Sequence, residues 1–191
     1  GRLRQLETIH LHVDLILGLP FETRESFCRS FRDVFAMNPH YIQMGLLKIL
    51  PNTPICHTAP EFNYTYSRAA PYSVLANKWL DHRSLQELFW FSEGVERFLN
   101  NRYFVSLWAY FRENGEDIVT FFSDLLKICW QRGLFFKAPT QKLLSSLLLE
   151  VVSERNDRQY IFEILRYDWL RCGHRFLPPE LEREEDLKTS E

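Results

Sequence analysis

The sequence predicts a mostly helical protein with a small parallel β part at its start. Three observations carry this prediction: an alternating segment near the beginning, a second strand-like segment one helix later, and helical periodicity over most of the remainder. The order strand, helix, strand specifies a right-handed parallel βαβ unit. We therefore expect one βαβ unit followed by an all-helical domain.

The first strand is predicted over residues 9–19, where apolar and mostly polar residues alternate. The apolar face carries Ile9, Leu11, Val13, Leu15, Leu17 and Leu19. The opposite face carries His10, His12, Asp14, Ile16 and Gly18. A strand of this kind packs one face against helices and leaves the other face for polar contacts.

The connecting helix has a clear start and a clear stop. Thr23 is a suitable N-cap, and Glu25 lies in the first turn, where the helix dipole favours an anion. Asn38 and Pro39 end the helix. A second strand is predicted from Tyr41 to Leu50.

Helical periodicity dominates the rest of the chain. After a loop rich in proline, amphipathic helices are predicted around residues 85–98, 118–129, 143–152 and 161–169, the third capped by Thr140 and the fourth by Asn156 or Asp157. We expect three segments: residues 1–60 with the strands, residues 70–177 as the helical domain, and residues 178–191 as a loose, Glu-rich tail.

Composition excludes several classes of partner. A formal charge of −2 and a pI near 6.3 provide no basic field for nucleic acid or anionic lipid. No apolar run approaches the roughly 20 residues that a membrane span needs. The cysteines lie singly, at Cys28, Cys56, Cys129 and Cys172, which is typical of free thiols in a reducing compartment. We expect a cytoplasmic protein without nucleic-acid or membrane partners.

The most informative stretch, from His10 to Thr23, reads HLHVDLILGLPFET. Together with the following helix, the Asn-Pro stop and a strand that ends in Leu-Pro-Asn-Thr-Pro, it resembles the fifth and sixth strands of radical S-adenosylmethionine barrels. The cobalamin-associated branch of that superfamily is the most similar. The segment from Leu165 to Leu170, with the aromatic-rich helices before it, resembles a helical domain of unknown function that closes some of these enzymes.

The resemblance implies that the βαβ unit is part of a TIM barrel, whose strands turn one face to the lumen. His12 and Asp14 would then face substrate, and Ile16 and Gly18 would lie beside the adenosine of S-adenosylmethionine. Glu22 lies one residue away from its usual place in this motif. No catalytic residue and no metal ligand is assigned to this chain.

The family binds a [4Fe–4S] cluster through a Cys-x-x-x-Cys-x-x-Cys loop after its first strand, a spacing that is absent from this sequence. The resemblance therefore assigns the cluster, S-adenosylmethionine and, for this branch, cobalamin to a longer parent protein. The chain begins at Gly1 rather than Met, which also favours a fragment. We expect the fragment to be inactive and free of cofactors. Its expected partner is the missing N-terminal part of the same protein or, through the open sheet, a second copy of this chain.

Two alternatives remain open. His10 and His12 project from one strand face about 6–7 Å apart, a spacing typical of metal-dependent hydrolases, although the other histidines fall in loops or helices. The chain could instead be a non-catalytic helical interaction module. The aromatic clusters are expected to be core, and Asp81 and Asp168 are expected to cap or bridge helices.

Overall fold

The structure, a computed structural model, describes residues 9–183. Within these residues the protein is mostly helical, with seven α-helices and a parallel pair of strands, which confirms the predicted composition of the fold. The described residues form two compact units, divided between Glu96 and Arg97. No helix among the described residues is long and apolar enough to cross a membrane.

The first unit opens with the predicted βαβ arrangement. It consists of β1 (His12–Leu17), α1 (Arg24–Met37) and β2 (Tyr41–Leu46), and the strands pair in parallel from His12↔Tyr41 to Leu17↔Leu46. Both strands are shorter than the predicted ranges. β1 ends because Gly18 turns into the left-handed region, with φ at 91°.

Helix α1 has the predicted boundaries. Thr23 caps it by accepting a hydrogen bond from the backbone N–H of Ser26 at 3.2 Å, and the Ser26 hydroxyl accepts the N–H of Thr23 at 2.9 Å. This reciprocal pair is a capping box. Asn38 ends the helix in the left-handed conformation, with φ at 54°.

The proline-rich segment after β2 contains short elements that the sequence analysis treats as loop. They are α2 (Pro54–Thr58), β3 (Thr65–Tyr66) and β4 (Val74–Ala76), with β3 and β4 antiparallel. Residues 72–74 also pair with the chain just beyond β2: Ile49 N–H donates to Tyr72 O, and Val74 N–H donates to Leu47 O, both at 2.9 Å.

Two helices cover one face of the β1–β2 pair. Helix α3 (His82–Val95), capped by Asp81 as predicted, packs against both strands, and α1 packs against β1. Phe31 of α1 meets Phe91 of α3 edge to face, with ring centroids 4.8 Å apart. Leu17 of β1 is fully buried on this face, as the alternation predicts for its apolar side, and Ile42 of β2 is fully buried as well.

The second unit is entirely helical among the described residues. A π-helix (Glu96–Asn100) runs into it, and its elements are α4 (Val105–Glu113), α5 (Ile118–Gln131), a 3₁₀ turn (Leu134–Phe136), α6 (Gln141–Val151), α7 (Arg158–Arg171) and a second 3₁₀ turn (Pro179–Leu181). Trp108 stacks on Phe122, and Phe111 meets Phe121 with centroids 4.7 Å apart. These aromatic residues are core, as expected.

The start of α4 depends on a side chain from α7. The N-cap of α4 is Phe104, which has no acceptor to offer the first N–H groups. Instead the fully buried carboxylate of Asp168 accepts from Ser106 N–H at 3.1 Å and Leu107 N–H at 3.2 Å, and Arg171 pairs with it at 3.2 Å. Asp168 thus bridges two helices.

The start of α7 departs from its prediction. Asp157 is its N-cap, but its side chain makes no cap hydrogen bond. The carboxylate accepts from Arg155 Nε at 2.8 Å and Tyr110 Oη at 3.0 Å, while Arg155 also reaches Glu116 at 2.8 Å. These ionic hydrogen bonds lower the pKa of Asp157. The thiol of Cys129 is buried in this unit, and burial raises its pKa to about 12.

The sequence divides the chain by composition and pattern into residues 1–60, 70–177 and 178–191, whereas the two units are divided by compactness. The three segments therefore stay predictions. In the described part of the last segment, Pro178 and Leu181 are buried and Lys142 lies 3.4 Å from Glu180. Residues 184–191 lie outside the described residues.

Replacing Asp168 with alanine should destabilise the second unit by about 2–4 kcal/mol, because two N–H groups of α4 and the Arg171 guanidinium lose a buried ionic acceptor. Urea unfolding measures the change. Asp124→Ala is the control, since its pair with Lys127 is exposed and should change stability by less than about 0.5 kcal/mol. Equal effects of the two substitutions would contradict the bridging role.

Candidate functional site

The face of the β1–β2 pair opposite the helices is exposed and mostly polar. We call it the polar sheet face and define it by His12, Asp14 and Ile16 of β1 with Tyr41, Gln43 and Gly45 of β2. The parallel register puts each β1 residue beside its β2 partner, so that the six residues form three cross-strand pairs. The structure thus brings together three of the four predicted site residues.

A hydrogen-bonded row runs across this face. Nε2 of His12 lies 3.1 Å from Oδ1 of Asp14 and 3.1 Å from Oε1 of Gln43. The ring of Tyr41 lies 4.8 Å from the His12 ring, and its hydroxyl donates to Glu96 Oε2 at 2.7 Å. The His12 and Asp14 side chains are 47% and 68% exposed, so their pairing leaves both open to a ligand.

Ile16 lies beside an open patch of backbone. The residue is 44% exposed, and its cross-strand partner is Gly45. A Cβ added at Gly45 would meet nothing within 4 Å. Ile16 therefore lies next to accessible backbone of β2.

The fourth predicted residue, Gly18, lies at the carboxyl end of β1 and is held from two directions. Its carbonyl oxygen accepts from Tyr64 Oη at 2.8 Å and from Asn77 Nδ2 at 3.1 Å. Its φ of 91° is one that residues with a Cβ rarely adopt. A Cβ there would make only ordinary contacts with Val74 and Leu85, so the backbone conformation, and not crowding, requires the glycine.

Glu22 adds a half-buried carboxylate to this strand end. Its Oε2 is buried without a hydrogen-bond partner among the described residues. Burial raises the pKa of Glu22. Burial also raises the pKa of Tyr64, and the nearby Glu22 charge acts in the same direction.

Aromatic residues cover the loop that leaves the strand. Phe21 has a φ of 65°, an uncommon value for a bulky residue, and the residue is 71% exposed. It lies 4.7 Å from the Trp79 ring and 5.7 Å from the Phe62 ring. The strand end is thus bounded by rings on the loop side.

The two histidines of the hydrolase alternative make different contacts. His10 stacks on His40 with ring centroids 4.6 Å apart, whereas His12 bonds to Asp14 and Gln43. Within residues 9–183 no three His, Cys, Asp or Glu side chains are grouped so that they could hold a metal ion.

Sequence reasoning missed Gln43, Tyr64 and Asn77. The sequence contains a signal for Gln43, because Tyr41, Gln43 and Gly45 alternate with apolar residues in the second strand. Tyr64 and Asn77 gave no local signal, since each acts on Gly18 from a distant loop.

Two comparisons with known proteins bear on the chain. A protein-family model matches residues 60–191, and the family is described as a protein of unknown function (DUF4080). No curated protein matches the chain. The matched range begins after β2 and includes β3, β4, α3 and all described helices of the second unit.

Changing Gly18 to alanine should destabilise the first unit by about 1–2 kcal/mol, because alanine is strained at this left-handed position. Gly45→Ala is the matched control. It has ordinary φ and open space, so it should leave stability unchanged or raise it by up to about 1 kcal/mol. Urea midpoints and amide exchange in β1 measure both variants, and the reverse order would disprove the strain argument.

Proposed function

This chain belongs to the DUF4080 family of proteins of unknown function, and we propose that it is the C-terminal part of a radical S-adenosylmethionine iron–sulfur enzyme. The proposal covers the end of a TIM barrel, contributed by β1, α1 and β2, and the helical domain that follows. The cobalamin-associated branch is the one whose motif the sequence resembles most.

The observation that carries the proposal is the uncovered polar sheet face. Parallel strands occur almost always in sheets with both faces covered, and helices cover only one face of this pair among the described residues. In a barrel the second face turns inward, where substrate and cofactor bind. The exposed His12 and Asp14 fit that position better than they fit a surface designed for helix packing.

The cofactor positions carried over from the resemblance have matching surroundings. Ile16 beside the bare Gly45 fits an adenine ring, and Gly18 fits a strand end whose backbone is held in place for a ligand. The four cysteines of this chain do not have the cluster spacing, so the [4Fe–4S] cluster would be bound by a preceding segment. Cobalamin rests on the motif alone.

The outer edges of both strands are unpaired among the described residues, because residues 72–74 pair with residues 47–49 on the side that faces β1. The resemblance, in which these are the fifth and sixth strands of a barrel, decides between the two edges. We propose that the missing N-terminal part adds a parallel strand at the β1 edge, with β2 as the last strand.

The alternative of a non-catalytic helical module makes a different prediction about the gene. The enzyme requires a Cys-x-x-x-Cys-x-x-Cys loop in frame before Gly1, whereas a reading frame that starts at Gly1 would favour the module. The hydrolase alternative requires zinc bound through His12, which elemental analysis of the wild type and His12→Ala would detect.

The full-length protein, reconstituted with iron and sulfide without oxygen, should bind a [4Fe–4S] cluster and cleave S-adenosylmethionine under reducing conditions, because only the complete barrel supplies the cluster. The isolated chain should bind neither iron nor zinc stoichiometrically and should not cleave S-adenosylmethionine. Elemental analysis and chromatography of the cleavage product measure both. A cluster-free full-length protein would contradict the proposal.

The isolated chain should self-associate through the polar sheet face and the β1 edge, since exposed strand edges pair with identical edges. Ile16→Asp should weaken this association several-fold, whereas Phe136→Asp, at an exposed aromatic residue of the second unit, should not. Sedimentation velocity over a range of concentrations provides the measurement. A strict monomer with slow amide exchange in β1 would show that the chain covers its own sheet.

A further inference from the structure

We infer that His12 is held as its Nε2–H tautomer by Asp14 and Gln43, and that its Nδ1 accepts a hydrogen bond from an N–H or O–H group of the substrate. The assignment of the ligand as substrate rests on the proposed function. The tautomer itself follows from the contacts of the three side chains. In this scheme His12 touches substrate, while Asp14 and Gln43 are positioning residues.

The carboxylate determines which nitrogen carries the proton. Nε2 of His12 lies 3.1 Å from Oδ1 of Asp14, and an ionised carboxylate only accepts hydrogen bonds. A lone pair on Nε2 would face the negative oxygen and be repelled. The proton of the neutral ring must therefore be on Nε2, which leaves Nδ1 with the lone pair.

The same argument determines how the Gln43 amide is oriented. Once Nε2 carries a proton, the amide group 3.1 Å away must present its oxygen, because an NH₂ group would place hydrogen against hydrogen. Gln43 is the cross-strand partner of Asp14, so the two acceptors approach the ring from neighbouring strands. The backbone register thus places one hydrogen-bond acceptor from each strand at the His12 imidazole.

The remaining nitrogen is left for a ligand. His12 makes no other hydrogen bond or ion pair within the described residues, so Nδ1 has none there. The exposed carboxylate of Asp14 beside the ring makes this part of the face acidic. A lone pair in an acidic setting favours a substrate that presents an amine or a hydroxyl group.

Nitrogen-15 NMR of the isolated chain tests the tautomer at alkaline pH, where imidazoles are neutral. The protein concentration is kept where sedimentation shows a monomer, so that a second copy does not cover His12. His82 is an internal reference with the opposite tautomer. Its Nδ1 lies 3.1 Å from the Leu75 carbonyl oxygen and must therefore be the protonated nitrogen. We expect His12 as Nε2–H and His82 as Nδ1–H, assigned with His12→Gln and His82→Gln.

Variants distinguish a role of Asp14 and Gln43 in positioning the His12 ring from a role in folding alone. The His12 preference for Nε2–H should weaken in Asp14→Ala and in Gln43→Ala and return in Asp14→Asn, which keeps an acceptor oxygen, while the His82 signals stay unchanged. His12 as Nδ1–H in the wild type, or an unchanged His12 preference in both alanine variants, would overturn the inference.

Ethanolamine, which carries ammonium and hydroxyl donors, is the ligand probe, and acetate, which only accepts, is its control. The Nδ1 signal of His12 should move with added ethanolamine and not with acetate, and this response should be lost in Asp14→Ala. No movement with ethanolamine, or an equal response to acetate, would refute the ligand assignment. S-adenosylmethionine cleavage by the full-length protein is measured in a separate experiment. Absence of cleavage would contradict the proposed function without affecting the tautomer result.

Discussion

Two strands that run parallel cannot be joined by a tight turn, and this constraint organises the first unit. The chain must cross from the end of β1 to the start of β2, and it does so through α1, whose apolar residues then cover one face of the pair. Because the connecting helix lies on one side of the pair, the other face is free of this connection. The exposed His12 and, among the described residues, the unpaired outer edge of β1 both follow from this pairing.

The second unit depends on a different constraint, the unpaired N–H groups at a helix start. Phe104 precedes α4 because the aromatic core needs its ring, which is fully buried, but phenylalanine cannot cap. Asp168 supplies the acceptor from α7. A fully buried acidic residue that a sequence search would offer as a catalytic candidate is thus committed to holding two helices together.

The sequence predicted those features of the fold that depend on interactions between residues close together along the chain. Alternation identified β1 and its two faces, and Thr23 and Asn38 marked the ends of α1, because caps and strand periodicity act over a few residues. The hairpin of β3 and β4 and the diversion of Asp157 from its capping role were missed. The strands of the hairpin have only two and three residues and an irregular register, which is too short for an alternating pattern. Asp157 is diverted in part by Tyr110, which is distant along the chain, and no local pattern encodes that contact.

The family match also bears on how the βαβ unit and the unknown-function region are related. Residues 60–191 match the family, yet Tyr64 and Asn77 from that range hold the carbonyl of Gly18, which precedes it. Helix α3, from the same range, covers the apolar face of the β1–β2 pair. The first part of the family region is therefore packed against the strand pair. Changes in that part will act on the end of β1, where the proposed cofactor site begins, even though none of its residues lies on the polar sheet face.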